Sequence, residues 1–318
     1  MTLDNILEEI KKAETIVILT HENPDGDAVG SSLALYNALK DMGKKPDVII
    51  PEYSRCFDFL PGCSEIKKES DIKNYDLAIS LDAATIKMLN GFSNYFENAT
   101  TKIVIDHHGT NTMYGDYNYV NPDAPACSQI LIVLLSYFNV EITKDIGTCI
   151  LTGIITDTGG FKNSGINPET FEFVAELLKK GINVSKVYRK VLETITKTSY
   201  ELRRIAESRL EFLFDGKVTF TYITLADEEK VNSETGDHEG IVNIGKCVEG
   251  VEVSVFIREL KNNKGWKASL RSNEYVNVSD VALLFGGGGH PRAAGCSMQG
   301  NLTQVKDKIL NEVRAYLK

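Results

Sequence analysis

Cysteine is scarce and scattered: six residues, at 56, 63, 127, 149, 247 and 296 of 318, with no C-x-x-C pair. That spacing excludes a zinc knuckle and a disulfide framework, and it suits reduced, mostly buried thiols in a reducing compartment. Long apolar runs are absent too. None approaches the roughly 20 residues of a membrane span. The opening MTLDNILEEIKK is an acidic amphipathic stretch rather than a signal peptide. The expectation is a cytoplasmic protein with no membrane partner. Positive charge is in deficit, with 35 Lys and Arg against 44 Asp and Glu and a net charge of −9. This excludes the extended basic face that long duplex nucleic acid requires. It leaves room for a short anionic substrate, because metal ions and a few arginines supply positive charge locally. Internal repeats and low-complexity segments are missing as well.

What is present is an ordinary globular balance, 42% hydrophobic and 25% charged, in a chain long enough for two domains with separate cores. The most informative stretch is Ile16–Ser31, IVILTHENPDGDAVGS. Ile16-Val17-Ile18-Leu19 reads as a buried strand, and His21, Asp25 and Asp27 follow it. Pro24 and Gly26 are expected to hold the loop open. A helix with Val29, Leu33, Tyr36 and Leu39 on one face then runs to Gly43. A histidine and two carboxylates at a strand end suit hard metal ligation. They suit an Asx-rich turn capping a helix equally well. The pattern recurs: DLAISL at 76–81 ends in Asp82, KIVI at 102–105 ends in Asp106-His107-His108, and LTGIIT at 151–156 ends in Asp157. In open α/β sheets, ligands bind beyond the carboxyl ends of the strands. Four segments are therefore expected to deliver Asp or His to one edge of one sheet.

The rest of the chain supports that sheet. Residues 1–12 read as a helix, 47–51 as a strand, 54–70 as a polar surface connection and 109–125 as a loop. Tyr114, Tyr117 and Tyr119 in that loop read as packing or surface residues. Helices are expected over 126–138, 143–155 and 168–180, with Gly181 ending the last. Strands alternating with helices give a doubly wound, mainly parallel sheet. From 185 to 213 the pattern is helical with mixed charge, as in a solvated connecting helix. After Asp215-Gly216 the texture turns β-rich, with strands at 217–225 and 251–260. A hairpin turn at Asn262-Asn263-Lys264-Gly265 leads to a returning strand at Trp266–Ser272. Helices are expected at 278–285 and 303–317. The fold class is α/β: a doubly wound domain over 1–185, a helical linker over 186–214 and a smaller mixed-sheet α/β domain over 215–318.

In this order, His21-x-x-x-Asp25-x-Asp27, Asp82, Asp106-His107-His108 and Asp157 resemble the DHH phosphoesterase superfamily. Gly286-Gly287-Gly288-Gly289-His290 with Arg292-Ala293-Ala294-Gly295 resembles its companion DHHA1 domain. The likeness runs over nearly the whole chain and is nearest to the compact, NrnA-like nanoRNase/pAp-phosphatase subgroup. It implies two divalent cations, manganese first and magnesium second, about 3.5–4 Å apart across an in-line phosphoryl displacement. It assigns His21, Asp25 and Asp82 to one ion and Asp27, Asp82, His107 and Asp157 to the other. Asp82, the lone ligand on its segment, is the bridge. Asp106 is expected to orient His107 through its other ring nitrogen, and His108 to face the phosphate as a charge stabiliser or proton donor. For Asp157 the other reading is an N-cap or turn aspartate.

Glycines let backbone N–H groups approach an anion or a base. Gly287, Gly288 and Gly289 with His290 and Arg292 are therefore expected to form a substrate-binding loop. The resemblance adds Arg258, Arg271 and Ser272 as holders of a phosphate or base; the other reading of the two arginines is surface charge pairing. Lys267 is a weaker candidate, and His238 and Trp266 read as structural. The implied enzyme hydrolyses short single-stranded RNA to mononucleotides and dephosphorylates 3′-phosphoadenosine 5′-phosphate (pAp). A cyclic-dinucleotide or pApA phosphodiesterase would use the same site. A RecJ-type exonuclease would bring further nucleic-acid-binding domains, and a family II pyrophosphatase a different second domain. A nucleotide-binding regulator with a silent site would have no need of seven candidate ligands. The sequence admits a homodimer.

Overall fold

Unbroken apolar runs need cover on both faces, which a parallel sheet between helices provides. The structure, a computed structural model, describes residues 3–162, 165–234, 236–261 and 264–318. Its first unit, Met1–Thr194, contains α1 (Leu3–Lys12), β1 (Ile16–Leu19), α2 (Gly26–Asp41), β2 (Asp47–Ile49), β3 (Ile66–Lys67), β4 (Leu77–Leu81), α3 (Ser93–Glu97), β5 (Thr101–Asp106), β6 (Tyr117–Val120), α4 (Cys127–Tyr137), α5 (Lys144–Asp157), α6 (Pro168–Lys179) and α7 (Val184–Tyr188). The strands form one parallel sheet in the order β3-β2-β1-β4-β5-β6. The order reverses between β1 and β4. The crevice past their carboxyl ends is thus the switch point at which doubly wound folds take ligands.

Several expectations change here. The apolar run 151–156 lies in α5, the helix expected over 143–155, which runs on to Asp157 as its last residue. Asp157 therefore reaches the sheet edge from the end of a helix and not from a strand end. Helix α2 is buried nearly all round rather than on one face. Gly30 permits this, because a Cβ there would lie 2.6 Å from the Cys149 carbonyl of α5. Gly26 does not open a turn. It is the first residue of α2, and a Cβ on it would strike Thr156 at 2.4 Å. The 54–70 connection is not all surface, since Phe57, Leu60 and Cys63 enter the core. The 109–125 loop contains β6, and its Tyr114 ring packs on Phe96 with centroids 5.2 Å apart.

The second unit, Ile195–Lys318, begins with α8 (Lys197–Ser208), so the 186–214 segment is split rather than one continuous helix. It continues with β7 (Glu211–Leu213), β8 (Val218–Ile223), α9 (Leu225–Val231), α10 (Asn243–Lys246), β9 (Val253–Glu259), β10 (Trp266–Ser272), α11 (Val278–Leu283), β11 (Gly288–His290), β12 (Ala293–Met298) and α12 (Leu302–Ala315). Its sheet runs β11-β12-β10-β9-β8-β7, with β8 and β9 parallel and the other pairs antiparallel. Of the hairpin turn expected at 262–265, Asn262 and Asn263 lie outside the described residues. One face carries the core of Val253, Val255, Ile257, Ala268 and Leu270 beneath α11 and α12. The other packs Phe256 against α8 residues Leu202 and Ala206. Among the described residues, no helix is long and apolar enough to cross a membrane.

Candidate functional site

The ends of β1, β4 and β5, the start of α2 and the end of α5 bring the expected ligands of the first unit together. Ligand atoms of His21, Asp25 and Asp82 lie within 4.8 Å of one another, as do those of Asp27, His107 and Asp157. Asp82 faces both groups. Its Oδ2 stands 3.8 Å from His21 Nε2, and its Oδ1 stands 3.4 Å from His107 Nε2. His107 Nε2 is also 3.4 Å from Asp157 Oδ2. Asp82 has φ of 55°, a left-handed backbone that costs a non-glycine residue roughly 1–2 kcal/mol. Its N–H is held by the Ile105 carbonyl at 3.1 Å. Strain of this kind persists where the surroundings impose it, as at ligand sites.

Each carboxylate is positioned by the backbone. Asp25 accepts from the N–H groups of Asp27 and Ala28, so it caps α2 while standing in the cluster with His21 and Asp82. Asp27 is wholly buried and accepts from Cys127 N–H at 2.6 Å and Ser128 N–H at 2.9 Å. Those are among the first N–H groups of α4, which lack intrahelical partners. Ala126 at the N-cap offers no capping side chain, so an aspartate from α2 does the work. A Cβ on Gly153 would lie 2.0 Å from Ser128 Oγ and 2.4 Å from Asp27 Oδ1.

The charges are unbalanced. Burial first, then the Asp82 charge, pushes Asp27 up to about 7. Burial and Asp27 push Asp157 up to about 9. Burial opposes the charge on His107, yet Asp82, Asp27 and Asp157 together raise it to about 10. Protons thus stand where positive charge is wanted. Asp82 Oδ1 is buried and accepts no hydrogen bond among the described residues, a costly state for a carboxylate oxygen. Imidazole and carboxylate donors around an unpartnered buried oxygen suit a hard divalent cation.

Asp106 does not orient His107 through its ring. The Nδ1 of His107 faces the Ala124 carbonyl at 3.2 Å. Asp106 Oδ1 instead accepts from His108 Nδ1 and from the His107 backbone N–H, each at 2.8 Å. Extended backbone places residues i and i+2 on the same side, which selects His108 over His107. Asn111 Nδ2 donates to Asp106 Oδ2 at 2.6 Å. Asn111, Ala124 and Gly153 carried no signal in the sequence; the uncapped start of α4 did.

In the second unit, register sorts the candidates. Lys267 pairs with Arg258, and Arg271 with Ser254 and Ala293; Ser269 pairs with Gly295, which pairs with Gly288, while His290 pairs with Ala293. Cross-strand partners share a face, so Arg258, Lys267, Arg271, Gly288 and His290 share one. Arg258 contacts Glu228 at 3.4 Å. Arg271 donates to the Leu270 carbonyl and meets no carboxylate among the described residues, and burial lowers its pKa. Ser272 falls on the opposite face, buried, donating to the Val276 carbonyl at 2.6 Å. Strand alternation therefore removes it from the Arg271 face. Arg292 donates to the carbonyls of Val276 and Glu274, holding the turn before α11 rather than presenting those donors outward. Gly287 and Gly289 serve close packing, since a Cβ on either would strike β12 carbonyls at 2.2 and 2.5 Å. Gly288 has open space instead. Trp266 is buried; His238 is half-buried, and desolvation with nearby Arg258 lowers it to about 4.

Residues 15–154 match the DHH family, N-terminal domain, and residues 215–318 match the DHHA1 domain. The chain is 35% identical over 315 residues to a Thermus thermophilus protein named bifunctional oligoribonuclease and PAP phosphatase NrnA, covering 98% of this chain and 93% of the relative. A Streptococcus mutans protein named a probable member of the same type is 26% identical over 98% of both chains. The crystal structure of an exopolyphosphatase-related protein from Bacteroides fragilis superposes with a TM-score of 0.89 at 30% identity, covering 99% of this chain and 96% of that one. Likeness on this scale, along nearly the full length of each relative, means that the chain belongs to the DHH family, with a DHHA1 domain as its second part.

Proposed function

We propose that this protein is a metal-dependent phosphoesterase that hydrolyses very short single-stranded RNA to mononucleotides and removes the 3′-phosphate of pAp. The names of its relatives supply the substrate class. The observation that carries the reading is the gathering of six donors from four segments into two groups joined at Asp82, whose buried Oδ1 has no hydrogen-bond partner among the described residues. His21, Asp25 and Asp82 would hold one divalent cation, and Asp27, Asp82, His107 and Asp157 a second. Manganese suits this nitrogen and oxygen set, and magnesium is the alternative. Such a pair neutralises developing charge and acidifies water for in-line attack on phosphorus.

The chain's own residues do the rest. The α4 N-terminus holds Asp27, and the Ala124 carbonyl sets the His107 ring. Asp106 holds His108 by Nδ1, so that its Nε2 turns to the phosphate and supplies a proton to the leaving oxygen. Residues 1–185 hydrolyse, 186–214 connect, and 215–318 grip the nucleotide. On the second sheet, Arg271, with no carboxylate partner among the described residues, suits a substrate phosphate. Arg258, His290 and the open backbone of Gly288 complete the grip. Cleavage of a di- to pentaribonucleotide and of pAp with manganese tests the reading. Asp82→Ala should lower the rate on the order of 10³-fold or more, since the cations supply several kcal/mol; undiminished cleavage would refute the metal roles.

A further inference from the structure

Asp106 is wholly buried, and both its oxygens are held. Oδ1 accepts from His108 Nδ1 and His107 N–H, and Oδ2 accepts from Asn111 Nδ2 at 2.6 Å. The same Asn111 amide donates to the Ala83 carbonyl at 3.2 Å, and its Oδ1 accepts from Met113 N–H at 2.7 Å. We infer that Asn111 is a positioning residue for His108, acting through Asp106. The inference rests on His108 being the group that acts on the phosphate. A carboxylate anchored through one oxygen can swing about its soft terminal torsion. Anchored through both, it presents one fixed direction to the imidazole.

The neighbours decide what loss of Asn111 would damage. The Ala83 carbonyl keeps a second donor, the Tyr114 hydroxyl at 3.0 Å, so the loop after Asp82 stays tied. The Met113 N–H is exposed and can turn to water. Asp106 Oδ2, by contrast, loses its only described donor inside the protein, and an unpaired buried ionic oxygen is expensive. The effect therefore falls on the Asp106–His108 pair and spares the ligands that converge on Asp82.

The test is a double-mutant cycle in the full chain with Asn111→Ala, His108→Ala and the pair, read as kcat and KM on a diribonucleotide with manganese. Mn²⁺ binding is measured beside it by calorimetry. Asn111→Ala should lower kcat roughly 10- to 100-fold, as loss of orienting partners does, with KM and Mn²⁺ stoichiometry unchanged. His108→Ala should lower kcat on the order of 10²- to 10⁴-fold. The double variant should match His108→Ala, because residues that act as a unit are not additive. Full additivity, or lost Mn²⁺ binding in Asn111→Ala, would overturn the positioning role and leave the phosphoesterase reading standing. An unchanged kcat in His108→Ala would overturn the His108 assignment and the role of Asn111 with it. If Asn111→Ala fails to fold, Asn111→Ser, too short to reach Asp106 and without added charge beside it, should give the same loss of kcat.

Discussion

Two carboxylates and one imidazole whose ligand atoms lie within 4.8 Å of one another set the chemistry at the scale of single residues. Asp27 at about 7, Asp157 at about 9 and His107 at about 10 all hold protons near neutrality. A cation can bind only as those protons leave. Mn²⁺ affinity should therefore climb steadily from pH 6 to pH 9, with protons released on binding. Calorimetry in buffers of different ionisation enthalpy measures both, and a pH-independent affinity would contradict the charge balance described. These residues were legible as candidates in the sequence, because Asp or His recurs at the ends of four apolar runs. Their pairing was not. Whether Asp106 serves His107 or His108 depends on backbone direction after β5, and Ser272 and Arg271 part company for the same reason.

Among elements, the decisive contacts are helix against helix. Helices α2, α4 and α5 approach closely enough that Gly30 and Gly153 have no room for a methyl group. Gly153→Ala should cost about 1–3 kcal/mol in stability by overpacking. It should also weaken Mn²⁺ binding through displaced Asp27, which denaturant unfolding with and without Mn²⁺ resolves. In the second unit, Arg209 grips Asp227 with bonds of 2.6 and 2.9 Å, joining the end of α8 to α9. Burial opposes ionisation of Asp227, but Arg209 and Thr224 outweigh it and hold the group down at about 2. Its stabilising contribution is present above about pH 4, the unfolded value, and disappears as pH falls towards 2. Acid unfolding of Asp227→Asn followed by circular dichroism should accordingly show a shallower pH dependence over that window. Sequence periodicity located these helices, 143–155 among them, but not the close approach of one to another.

For the whole molecule, the two units have separate cores: those of the first draw on residues up to Val187, and those of the second begin at Leu202. All six expected metal ligands belong to the first unit. A ligand stabilises only the cooperative unit that binds it. Scanning calorimetry should therefore show Mn²⁺ raising one transition and leaving the other in place. A common upward shift of the whole profile would mean that the units unfold as one.

By itself the sequence determined the element types, the parallel character of the first sheet and the residue types that gather at its edge. These follow from local patterning, from the unbroken apolar runs of β1, β4 and β5, and from the recurrence of Asp or His after such runs. Tertiary structure alone decided that Asp27 is held by the start of α4 and that Asn111 donates to Asp106. It alone turned Ser272 and Arg292 away from the candidate substrate face. Each of those outcomes depends on a contact between segments distant along the chain or on the direction of a single side chain. A one-residue change of phase reverses that direction without altering the pattern that a sequence displays.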